Sequence, residues 1–181
     1  MPIDVHAHYV PPQLITAIKA RGKDIGVRLT PAEGGKEALG FDYGFKVRPF
    51  FPRLVEPVGE RHKWMDEQKI DHQIVGTWPD IFGYGLPREH CIGWHRMLND
   101  TLAEWAADNS KKFSWISSVP LTDPEAAAQE LERSANAGGG AGHQTQWAGR
   151  WHRSGLLVVH PIFSITARVC RVFVASGMVD R

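Results

Sequence analysis

Ile3-Asp4-Val5-His6-Ala7-His8 opens the chain with the length and branching of a β-strand, and it ends by presenting two histidines with one alanine between them. Side chains at i and i+2 leave a strand on the same face, so both imidazoles point to one side, close enough to share a metal ion. The run that follows, Tyr9-Val10-Pro11-Pro12, stops the strand and puts the pair at its carboxyl end, where α/β proteins build their sites. Two solvated histidines near a terminus are the plain alternative to a metal pair.

Outward from that strand the chain alternates between elements. Pro11 and Pro12 open a short helix through about Ala20, with Leu14, Ile15 and Ile18 on one side and Gly22 as its stop. Residues 23 to 56 hold five glycines and three prolines and read as a long excursion with a short hairpin around Phe41 to Val47. A helix is expected from Pro57 to Lys69, followed by a second strand over His72-Gln73-Ile74-Val75-Gly76-Thr77. From Pro87 to Asp108, Cys91, Trp94, Leu98, Leu102 and Trp105 recur three and four apart, one apolar stripe along a long helix. Phe113 to Leu121 follows as a third strand. Thr122-Asp123-Pro124-Glu125 then starts a helix, with Asp123 as its cap, and Gly138 ends it. Strand and helix in alternation argue for an α/β fold with a parallel sheet.

Composition excludes several roles. The chain has 181 residues, 43% of them hydrophobic, enough to bury a core. A net charge of +1 provides no field for nucleic acid or an acidic membrane surface, so neither is expected as a partner. Cys91 and Cys170 lie far apart without Cys-x-x-Cys spacing, and no apolar stretch reads as a signal peptide or a membrane span. A cytoplasmic setting is the expectation.

The ordered set of motifs resembles a known family. Ile-Asp-Val-His-Ala-His-Tyr-Val-Pro-Pro, then Trp64-Met65-Asp66-Glu67-Gln68-Lys69-Ile70-Asp71 before a strand, Leu98-Asn99-Asp100 inside the long helix, and Lys112-Phe113 leading to Val119-Pro120-Leu121 look like the amidohydrolase superfamily. The similarity covers residues 1 to 138 and is nearest to the branch that contains aminocarboxymuconate-semialdehyde decarboxylase. It implies a distorted (β/α)8 barrel, of the TIM type, with a divalent metal, commonly zinc, at the carboxyl ends of the strands. His6 and His8 match its first two ligands, and the substrate implied is a small aromatic or unsaturated carboxylic acid.

Other site residues follow from the same resemblance. Trp78, Phe82 and Tyr84 lie in the loop after the second barrel strand, where this branch places aromatic side chains against substrate; covering the barrel mouth is the competing role. Arg48 is the candidate to hold a substrate carboxylate by a forked pair of hydrogen bonds, with Arg53 competing and a solvated arginine as the alternative. His62, His90 and His95 fall on helices, where surface or packing roles are expected, and His72 opens its strand at the amino end, away from the site. Gly138 to Gly142 lacks the Lys-Ser/Thr of a phosphate loop and reads as a linker.

A (β/α)8 barrel takes about 250 residues, and three strand-helix units are used by residue 138. The chain is therefore expected to supply part of a barrel, in two sections: residues 1–138, and an atypical tail from 139 to 181. Residues 134 to 181 carry one acid, Asp180, against five arginines and no lysine, a composition expected of sequence read out of frame. Leu156-Leu157-Val158-Val159-His160-Pro161 resists that view, since it resembles the family's fifth strand with a further metal-ligand histidine, His160. Two main readings remain open: a metal-dependent decarboxylase or hydrolase, and an inert partial barrel whose free strand edges favour association into a homo-oligomer. A phosphoesterase built on the same His-x-His is the third.

Overall fold

The computed structural model describes residues 2–137 together with 143 and 144. Its strands and helices run β1 (Ile3–His8), α1 (Pro12–Arg21), β2 (Val27–Pro31), β3 (Glu37–Phe41), α2 (Val58–Glu67), β4 (His72–Gly76), α3 (Arg88–Asp108), β5 (Phe113–Ser118), α4 (Pro124–Asn136) and the two-residue β6 (His143–Gln144). Strands β1, β4, β5 and β6 form one sheet in that order, every neighbouring pair parallel. Each strand lies beside the one added before it, as successive units of a barrel do. Helices α2, α3 and α4 make the crossovers.

The apolar stripe of α3 is buried along its whole length, at Cys91, Trp94, Leu98, Leu102 and Trp105. Its carboxyl half packs on the sheet: Leu102, Trp105 and Ala106 meet Tyr9, Val75, Phe113 and Trp115, with Met65 of α2 in the same cluster. Its amino half closes a second core with Leu14 and Ile18 of α1 and Val27, Leu39 and Phe41 of the excursion. One helix thus ties the sheet to the loop region in front of it. Asp123 caps α4 as expected, its carboxylate accepting from the Ala126 N–H at 2.9 Å.

The excursion is more ordered than its composition suggests. Strands β2 and β3 form a five-rung antiparallel ladder, from Val27 opposite Phe41 to Pro31 opposite Glu37. Gly34 and Gly35, at φ 70° and 72°, turn the chain between them in a backbone region open to glycine. The hairpin expected at Phe41 to Val47 is reduced to a single bridge, Gly40 to Lys46, on the end of that ladder. The larger hairpin does alternate, as Val27-Arg28-Leu29-Thr30 and Leu39-Gly40-Phe41, but each run is short and lies among glycines and prolines that read as loop.

Ile3 and Val5 of β1 are 47% and 60% exposed. Among the described residues β1 has one strand neighbour, β4, so its other edge is open. No described helix is long and apolar enough to cross a membrane.

Leu102 is buried where α3 meets the sheet, so Leu102→Ala is expected to cost about 2–5 kcal/mol, as such truncations do in packed cores. Urea unfolding of the two proteins measures it, and a loss well below about 1 kcal/mol would contradict this account of the core.

Candidate metal centre

Strand β1 is irregular where it matters. Asp4 pairs with Gln73 and Ala7 with Val75, so β1 spends three steps against two on β4 and holds one extra residue, a bulge, between Asp4 and Ala7. The rings of His6 and His8 converge to 4.9 Å between centroids, edge to face at 84°. Residues two apart on a straight strand are separated by about 6.6 Å along it, so the rings lie closer together than that backbone spacing. The strand then leaves through two fixed backbone contacts, Tyr9 N–H to the Gly76 carbonyl at 3.1 Å and Val10 N–H to the Leu54 carbonyl at 2.8 Å.

His6 is exposed and His8 half-buried. Burial pulls the His8 pKa below its ordinary value, and the neighbouring His6 adds to that. His8 is therefore neutral at neutral pH, the form in which an imidazole nitrogen binds a metal. The donor chemistry, the convergence and the neutral ring fit a divalent ion held by two adjacent ligands. Among the described residues no group of three His, Cys, Asp or Glu side chains completes such a site, so the pair fits as a part of a ligand set. His160 lies outside the described residues.

Beside the pair, Arg48 donates from Nε to Asp80 at 3.0 Å and lies over the Trp78 ring at 5.1 Å, its side chain largely open to solvent. Asp80 is near enough to His8 to act on it electrostatically. Arg48 is thus linked to the histidine pair through Asp80. Arg53, the competing arginine, lies 4.0 Å over the Trp64 ring of α2. Trp78 and Phe82, of the same loop as Asp80, are both buried, Trp78 beneath the Arg48 guanidinium. Half-buried Tyr84 lies against Phe82 and stacks on His95 at 5.4 Å. Gly83 joins them at φ 67°, where a side chain would meet the Phe41 ring at 2.6 Å.

His62, His72 and His95 have packed or hydrogen-bonded places away from the pair. His72 pairs with Ser114 at the amino end of the sheet, 2.8 Å apart, and His62 stacks on Phe113. His95 is fully buried, with Nδ1 3.0 Å from Ser118 Oγ, and burial drives its pKa down to about 3. Side chains that sequence reasoning missed include Asp80, an isolated acid in a loop, and Asp4, Gln73 and Arg61, which lie behind the pair. Gln73 in a strand and Arg61 within a helix resemble ordinary exposed polar positions, and their burial is legible only in three dimensions.

No protein-family model matches the chain. Among curated proteins it is 36% identical over 97 residues to gamma-resorcylate decarboxylase of Rhodococcus jostii, covering 54% of this chain and 30% of that one. It is 30% identical over 69 residues to 2-amino-3-carboxymuconate-6-semialdehyde decarboxylase of Dictyostelium discoideum, covering 38% and 19%. Among solved structures, 2,6-dihydroxybenzoate decarboxylase from Rhizobium matches with a TM-score of 0.60 at 21% identity, over 93% of this chain and 47% of that one. A 5-carboxyvanillate decarboxylase of Novosphingobium aromaticivorans, solved with manganese, matches at 0.61 and 20%, over 93% and 48%. The chain spans less than a third of the curated relatives' length and under half of these solved chains. The fold is that of part of the barrel of these solved chains, and the sequence relatives are decarboxylases.

The buried His95 makes a prediction about acid stability. The unfolded chain takes up a proton at this ring below about pH 6.5, while the folded protein does not until about pH 3, so stability falls as pH drops through that window. The slope from this one group approaches about 1.4 kcal/mol per pH unit. Between about pH 6.5 and 5 the parent should lose about 1–2 kcal/mol more in urea unfolding than His95→Gln, and equal losses would contradict the burial of a neutral ring.

Proposed function

We propose that His6 and His8 hold a divalent metal in a decarboxylase-type site acting on a small aromatic or unsaturated carboxylic acid. The observation that carries this reading is the 4.9 Å convergence of the two rings at the carboxyl end of β1, with His8 neutral. The relatives' decarboxylase activity and the manganese in one neighbour support it. Zinc suits imidazole donors, and competition between zinc and manganese decides which ion is preferred. When bound, such an ion polarises a coordinated oxygen and lowers the pKa of a bound water.

The protein's own groups then have separate tasks. Arg48 can release Asp80 and present its guanidinium fork to a substrate carboxylate, the geometry in which arginine holds a planar anion. Asp80 keeps the arginine at the mouth until then. Trp78 fixes the guanidinium plane from beneath, and Tyr84 is the aromatic side chain of this loop left part-open to a substrate ring. His160 remains the candidate third ligand. Cys91, free and buried, suits a reducing cytoplasm.

One observation favours the second reading, a catalytically inert partial barrel that self-associates. Exposed Ile3 and Val5 on a strand with an open edge form a surface that a second copy could cover. Light scattering after size exclusion reads this directly: a dimer or larger species at low micromolar concentration supports it, and a monomer removes it.

Equilibrium dialysis against Mn²⁺ or Zn²⁺ should find about one ion per chain, lost from the His6→Ala/His8→Ala protein; binding unchanged in that protein would contradict the proposal. With 2,6-dihydroxybenzoate as substrate, Arg48→Ala is expected to raise KM at least about tenfold through loss of a charge-assisted contact, with a smaller effect on kcat. An unchanged KM would remove Arg48 from substrate binding.

A further inference from the structure

Behind the histidine pair, between sheet and α2, lies a set of polar side chains where a parallel sheet ordinarily packs apolar ones. Arg61 is 3% and Gln73 2% exposed. Arg61 Nη1 donates to Gln73 Oε1 at 2.8 Å, and Gln73 Nε2 donates to Asp4 Oδ2 at 2.8 Å. Asp4 Oδ1 accepts the backbone N–H of His6 at 3.2 Å. Arg61 Nη2 donates to the His8 carbonyl at 3.3 Å and to the Arg53 carbonyl at 2.7 Å. Glu56 neutralises the guanidinium at 3.1 Å from Nε, and Tyr9 lies 4.7 Å under it.

The direction of every bond in this relay is fixed from one end. Arginine only donates, so Gln73 must turn its oxygen to Arg61 and its NH₂ to Asp4. A carboxylate at position 4 only accepts, so it satisfies Gln73 with one oxygen and the His6 N–H with the other. That N–H lies in the bulged stretch between Asp4 and Ala7, and the Asp4 carboxylate ties it back to the relay. The relay therefore grips His6 by its N–H and His8 by its carbonyl. Burying a guanidinium and an amide here costs desolvation that an apolar pair would not, so stability alone does not account for them.

We propose that Asp4, Gln73 and Arg61 are positioning residues for the histidine pair: their relay sets the bulge of β1 and with it the convergence of the two imidazoles on one ion. This inference rests on the metal reading of His6 and His8 for its role in binding, and on geometry alone for the convergence. Supporting groups of this kind are worth about 10–100-fold in metal affinity.

The experiment is an exchange of the acceptor and donor between positions 4 and 73. Asp4→Asn leaves an NH₂ facing either the His6 N–H or the Gln73 NH₂, and Gln73→Glu sets two carboxylates against each other. In the Asp4→Asn/Gln73→Glu pair the new carboxylate at position 73 accepts from both Arg61 and the new amide at position 4. The oxygen of that amide accepts the His6 N–H, so the relay is complete again with its polarity redistributed. Titration of the full chain with Mn²⁺ should show affinity falling at least about tenfold in each single variant and returning to within about threefold in the pair. In the metal-free proteins the His6–His8 ring-to-ring nuclear Overhauser effect should weaken in each single variant and return in the pair.

Parent affinity and ring contact in both single variants would overturn the proposal, as would failure of the pair to recover them. Should the parent bind no Mn²⁺, the metal reading falls by itself and the ring contact in the metal-free proteins still decides the positioning role. Should the single variants lose their native amide spectrum, the exchanged pair decides it: spectrum and ring contact restored support the relay, and any other result overturns it.

Discussion

Two imidazoles share an ion only when the backbone beneath them is held, because a free strand end lets each ring turn to solvent independently. Here the hold comes from the parallel pairing of β1 with β4, bent by one extra residue at the point where the rings leave. The sheet provides the position and the bulge provides the aim. Strand β4 is held in turn by β5, and both are pressed against α3 through Val75, Phe113, Leu102 and Trp105. The geometry of the pair therefore depends on a core that lies behind the sheet, and locally on Asp4 at the His6 N–H and Arg61 at the His8 carbonyl.

The mouth beside the pair is built differently. Trp78, Ile81 and Phe82 are buried, Trp78 and Ile81 within the second core, and the Trp94 indole donates to the Ile81 carbonyl at 2.6 Å, tying the loop down to α3. Arg48 reaches this loop from the excursion and is held there by one carboxylate, Asp80, and one ring. In the proposed function this floor carries the one arginine that meets a substrate carboxylate. The β2–β3 ladder is what brings Arg48 across, since Val47 N–H bonds the Leu39 carbonyl next to it.

Much of the frame is legible in the chain itself. The Cys91–Trp105 stripe, the Asp123 cap and the strand at His72 stand in the structure where periodicity and capping chemistry put them, because each depends on neighbours close in sequence. The histidine pair is legible for the same reason: its spacing alone implies one face. The support of that pair is not, since Asp4, Gln73 and Arg61 lie up to 69 positions apart and each looks like an ordinary surface residue. Trp78 and Phe82 are ambiguous in the sequence for a different reason: aromatic side chains in a loop suit a stacking surface and a packed core equally, and both are buried in the structure.

Paramagnetic broadening tests the shared-ion claim most directly. With substoichiometric Mn²⁺ added to the isotope-labelled chain, the ring signals of His6 and His8 are predicted to disappear together and first, with the backbone of Ala7 next. Broadening that begins at surface acids such as Asp24 and Glu33 while both rings stay sharp would contradict the account.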